Sequence, residues 1–162
     1  MVPDLLNDTG RWLDRFCEVI DQWESILNDV QLAYLQGDVA KISELCPVGE
    51  RIHQEVQKCK SDRQSLLHRA TEMGYFARSL RQMSEQFDAQ WPALWTLRLV
   101  SLEHQLHRIQ QLSLTLWVAA FQSKSFVSEM LLILSTGNAE AATYSPNEAH
   151  SLEGGYLINE AA

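Results

Sequence analysis

Residues 12–33 read WLDRFCEVIDQWESILNDVQLA, and the apolar side chains in this stretch recur at Trp12, Phe16, Val19, Trp23, Ile26, Val30 and Ala33. Alternating steps of four and three residues keep one side chain per helical turn on a single stripe, the spacing of a coiled-coil seam. All seven positions are apolar, so the stretch predicts an amphipathic helix that buries this stripe. Asp8 or Thr9 is placed to cap its start, and Gly37 followed by Asp38 reads as the end of one helix and the N-cap of the next.

Working outward, the same spacing returns at Ile42, Leu45, Gly49, Ile52, Val56, Cys59, Arg63, Leu66, Ala70 and Met73, with Gly49 and Arg63 off the pattern. Pro47 either kinks this second helix or sits in the first turn of a new one, because it lacks a backbone donor and clashes with the preceding turn. Gly74 closes the run, and residues 79–87 predict a short helical segment. A third helix opens around Trp91 and Pro92 and stops at Gly137. Its seam is Leu99, Leu102, Leu106, Ile109, Ser113, Leu116, Ala120, Ser123, Val127, Met130 and Leu134. At a rise of about 1.5 Å per residue this helix is about 65 Å long. The expected fold is therefore all-α, an elongated antiparallel bundle of about three long, coiled-coil-like helices over residues 1–137. Residues 138–162 contain no Lys or Arg and many small or turn-forming residues, and they read as a flexible C-terminal tail.

Whole-chain quantities bound the function classes. The chain has 162 residues, 46% of them apolar and 21% charged, which suits one helical domain with a sizeable core. A net charge of −8 repels phosphate backbones and anionic lipid, so nucleic acid is not an expected partner. The opening MVPDLLNDTG carries Asp4 and Asp8 and no basic segment, and the closest candidate for a membrane span, residues 126–134, is nine residues long and contains Glu129. A cytoplasmic location without membrane insertion is the expectation. Cys17, Cys46 and Cys59 have no metal-ligand spacing and read as reduced thiols filling the core. Charge is divided unevenly: residues 1–50 hold three Lys or Arg against ten Asp or Glu, and residues 51–81 hold seven against three. An acidic first helix lying beside a basic second one accounts for both.

No motif of catalysis is present: the chain contains no G-x-S-x-G and no glycine-rich phosphate loop. Glu50 and His53 form one E-x-x-H, but a di-metal bundle needs two such pairs and two further carboxylates. His104 and His107 lie one turn apart beside the third seam and read as solvated flank positions. No enzyme activity, metal or cofactor is expected.

The informative stretch is residues 112–134, LSLTLWVAAFQSKSFVSEMLLIL, in which Lys124 and Glu129 are the only charges. With Leu116 of the seam at 0° and about 100° per residue, Trp117 falls near 100°, Phe121 near 140°, Leu114 and Leu132 near 160° and Val118 near 200°. A bundle helix needs one apolar stripe. A second, opposite one needs a partner, and Leu114, Trp117, Val118, Phe121, Leu132 and Ile133 are the candidate contacts.

In the order of its features the chain resembles the FlgN family of flagellar type III export chaperones. The resemblance rests on LQGDVAKISEL at residues 35–45, RQSLL at 63–67 with a glycine a turn or two later, LWVAAFQ in the last long helix, and the ending GGYLINEAA at 154–162. It implies a small cytosolic chaperone that binds the C-terminal helices of hook-filament junction proteins. Such a chaperone keeps these clients unassembled and delivers them to the export-gate membrane protein. It also implies client contact on the last helix and export-gate docking at Tyr144. In the tail itself, the apolar cluster Tyr156, Leu157 and Ile158 is too small to build a core and suits docking onto a partner. A chain of this type is expected to be mainly monomeric. The rival reading is a structural or regulatory coiled-coil protein that homodimerises through the last helix.

Overall fold

A computed structural model describes residues 2–136, and the expected boundary at Gly137 and the tail beyond it lie outside them. The described residues are all-α, without a strand: α1 (Val2–Gln36), α2 (Val39–Glu72), α3 (Leu80–Phe87) and α4 (Ala93–Thr136), with one 3-10 turn at Asp88–Gln90. The chain divides into two compact units, Met1–Leu112 and Ser113–Ala162.

In the first unit, α1 starts well before Trp12. Neither Asp8 nor Thr9 caps it: the Thr9 hydroxyl donates to the Leu5 carbonyl one turn back at 2.7 Å, and the Asp8 carboxylate receives Arg69 of α2 at 2.8 Å. Leu5 explains the extra turns, because it is fully buried and extends the apolar surface of α1 toward its N-terminus. The turn at Gly37 forms as its sequence predicts. With φ at +67°, a conformation open to glycine without a Cβ penalty, the Gly37 N–H donates to Tyr34 O and the Asp38 N–H to Ala33 O. The Asp38 carboxylate then accepts from the Lys41 N–H at 2.9 Å, capping α2.

α2 runs unbroken through Pro47, which settles the sequence alternatives in favour of one helix. Gly74 ends it at φ +89°, its N–H donating to Thr71 O while the Tyr75 N–H reaches Ala70 O, each at 2.9 Å. Ser79 caps α3 by accepting from the Gln82 N–H at 3.2 Å. Pro92 stands just before α4, and its carbonyl accepts from the Trp95 N–H.

α1 and α2 form an antiparallel hairpin. Val19, Ile52 and Cys59 make one buried cluster, flanked by Phe16, Trp23, Ile26 and Val56, and the Trp12 indole N–H donates to the Cys59 carbonyl at 2.8 Å. A larger cluster joins Leu5, Leu13 and Ile20 of α1 to Leu66 and Ala70 of α2, to Leu80, Met83 and Phe87 of α3, and to Leu102 and Ile109 of α4. Helix α1 therefore buries two stripes. Leu13 and Ile20, seven residues apart, lie off the stripe read from the sequence, and each such buried side chain contributes about 1.5–3 kcal/mol.

Charge pairing differs from expectation. The anticipated α1-acid to α2-base contact occurs at Asp8 and Arg69, but Arg15 of α1 pairs in the opposite sense with Glu55 and Asp62 of α2. Three further acids of α1 face α4: Asp14 meets Arg98, Glu24 meets Arg108 at 3.0 Å, and Gln105 bridges Asp21 and Glu24. Asp14–Arg98, Asp21–Gln105 and Glu24–Arg108 share a separation of 84 residues, so residues 93–112 run parallel to α1 with matched turns. The acidic stripe of α1 lies beside its second apolar stripe, and it follows the helix packed there.

Candidate partner-binding surface

The C-terminal half of α4 lies in the second unit, and most of its large apolar residues are exposed, Leu116 being half-buried. Leu114, Trp117, Val118, Phe121, Leu132 and Ile133, the residues singled out from the sequence, are all between 38% and 57% exposed. Trp117 and Phe121, one turn apart, stack with ring centroids 5.6 Å apart and planes 17° from parallel, forming one flat aromatic plate. The helix brings five of the six together on one stripe. Ile133 falls near 260° on the same wheel, beside Phe126 near 280°, and so belongs to a different side of the helix.

The seam predicted along the whole of α4 changes character within it. Leu102 and Ile109 are each 4% exposed, whereas Val127, Met130 and Leu134, further along the same stripe, are exposed, Leu134 at 77%. The expectation that this stripe is buried throughout is corrected: Leu102 and Ile109 are buried, Ser113 and Leu116 half-buried, and the stripe is exposed from Ala120 onward. Phe126 and Leu131 are exposed as well, so large apolar side chains stand on every side of residues 113–135. A helix apolar all round is one that functions buried. The signal for this was present in the sequence as the scarcity of charge, but the periodicity directed attention to one face alone.

Chemistry of other kinds has little to work with among the described residues. No group of three or more His, Cys, Asp or Glu is placed to hold a metal ion. His53 is turned edge-on to Trp23 with centroids 6.1 Å apart, so it serves packing, while Glu50 is exposed. His104 and His107 are exposed, and His107 contacts the Gln111 amide at 3.0 Å. Cys59 is buried and Cys17 half-buried, and burial pushes both thiols above the ordinary 9.0, which leaves little thiolate at neutral pH. Cys46 is exposed, contrary to its reading as core filler. A cleft of about 310 Å³ between α1 and α2 is lined by Arg11, Arg15 and Arg69 over Trp12, but Arg15 and Arg69 are already paired with acids.

Two acids of the first unit are tuned by its pairing. Hydrogen bonds from Arg108, then Gln105, hold the Glu24 carboxyl below the ordinary 4.5, and Arg15 does the same for Glu55. No described helix is long and apolar enough to cross a membrane. Tyr144, Tyr156, Leu157 and Ile158 lie outside the described residues. Comparison with protein-family models, with curated proteins and with solved structures returned no match.

Proposed function

We propose that this chain is a non-enzymatic, cytosolic export chaperone of the FlgN kind, which binds hook-filament junction proteins, prevents their premature assembly and delivers them to the flagellar export gate. The observation that carries the reading is the uncovered apolar surface of residues 113–135. Eleven large apolar residues there, from Leu114 to Leu134, are exposed. Apolar patches of such extent on a folded chain mark an interaction site. The architecture that goes with this reading is an elongated antiparallel bundle of three long helices whose last helix offers the binding stripe.

Capture works by helix-in-groove recognition. A client whose amphipathic terminal helices would otherwise polymerise lays its apolar face against Leu114, Trp117, Val118, Phe121 and Leu132, and the polymerising surface is thereby masked. Tyr144 is assigned to delivery at the gate by the family resemblance alone, and the apolar cluster Tyr156, Leu157 and Ile158 is assigned to docking of the tail by its composition.

The test is co-purification with a hook-filament junction protein. Phe121→Asp and Leu132→Asp, each placing a charge on an exposed apolar site, are expected to abolish capture while leaving helical circular dichroism unchanged. Capture that survives both changes would reject this face as the client site.

A further inference from the structure

The stripe on α4 carries a pattern that specifies a partner more closely than apolarity does. Leu114, Val118, Phe121, Ser125, Ser128, Leu132 and Ser135 follow one another at steps of four, three, four, three, four and three. These are the a and d positions of three heptads, with Val118, Ser125 and Leu132 at a. In the same frame Lys124 occupies g and Glu129 occupies e. They are the only two charges of the segment, and neither makes an ion pair among the described residues. Five residues apart on one helix, they point about 140° away from each other and cannot meet.

We infer that a second copy of this chain occupies the stripe, parallel and in register. In a parallel coiled coil the g residue of one strand meets the e residue five positions later on the other. Lys124 then faces Glu129 of the second copy, and by two-fold symmetry the pair forms twice. Antiparallel pairing through the same stripe loses this match, because it sets Lys124 against Leu131 of the second copy and Glu129 against Gln122. Phe121 faces its own equivalent, and Ser125 and Ser128 form two small polar layers in the middle. Polar layers lower stability and fix register, so the dimer is reversible at ordinary concentrations. Val127, Met130 and Leu134, on the other side of the helix, take no part.

Pairing covers the stripe assigned to clients, so self-association and client capture exclude each other. The dimer is nevertheless testable on the chain alone, without any client. Light scattering of the full chain from about 1 μM to 1 mM should show a monomer–dimer equilibrium. Lys124→Glu should weaken it roughly tenfold, since it replaces two attractive contacts by two repulsive ones, and adding Glu129→Lys should restore it. In a Cys46→Ser background, Ser125→Cys should form a disulfide-linked dimer under mild oxidation and Ser123→Cys should not. A monomer at every concentration, a cross-link at position 123 in place of 125, or a charge reversal that fails to rescue would each overturn the pairing. Loss of the dimer would leave client capture by the same stripe standing. Persistence of the dimer without client capture would reject the chaperone reading instead.

Discussion

Leu102 and Leu134 belong to one stripe of one helix, yet truncating them should have very different costs. Leu102 is 4% exposed inside the cluster that joins α1, α2, α3 and α4. Removing three carbons there forfeits transfer energy and leaves a cavity that rigid neighbours fill only in part. Buried Leu→Ala changes cost about 2–5 kcal/mol, and with burial this complete we expect about 3 kcal/mol for Leu102→Ala. Leu134 is 77% exposed, so the truncated atoms were already in water and no cavity forms. Its cost should fall within about 0.5 kcal/mol of zero. Urea denaturation followed by helical circular dichroism separates the two. With a slope of about 2 kcal/mol per molar urea, Leu102→Ala should lower the midpoint by about 1.5 M and Leu134→Ala by less than about 0.3 M. The dimer proposed above does not confound the comparison, because Leu134 is not on its stripe. Equal midpoint shifts for the two variants would refute the conclusion that the seam changes role within α4.

Two further outcomes follow from the first unit. Pro47 stands exposed inside unbroken α2, where it removes a backbone hydrogen bond to Ser43 O, so Pro47→Ala should raise stability by about 1–3 kcal/mol in the same urea assay. Glu24 has its carboxyl held below the ordinary 4.5 by Arg108 and Gln105. A depressed folded-state value means that its stabilisation is complete above the unfolded value and is lost as pH falls through the folded one. Thermal melts of the parent chain should therefore lose stability from about pH 5 downward, and Glu24→Gln should lose less over that interval. A variant whose acid profile matches the parent would remove Glu24 from the account.

The all-α class, the turn at Gly37 and Asp38, the stop at Gly74, the short α3 and the opening of α4 at Pro92 were all legible in the sequence. Each is governed by local physics: seam spacing, a glycine free to adopt positive φ, a side chain that caps its own backbone. Five of the six candidate contacts were likewise grouped by helical periodicity alone. Other features could not be read this way because they depend on which elements meet. The start of α1 at Val2 depends on Leu5 finding a buried place, and the pairing of Asp14 and Glu24 with α4 depends on the parallel course of residues 93–112 beside α1. Tertiary structure alone also decided where the α4 seam is used. Leu102 and Leu134 have the same side chain on the same seam of one helix, and periodicity specifies which face a residue occupies. Whether that face is covered depends on neighbouring helices, and these bury Leu102 and leave Leu134 to solvent.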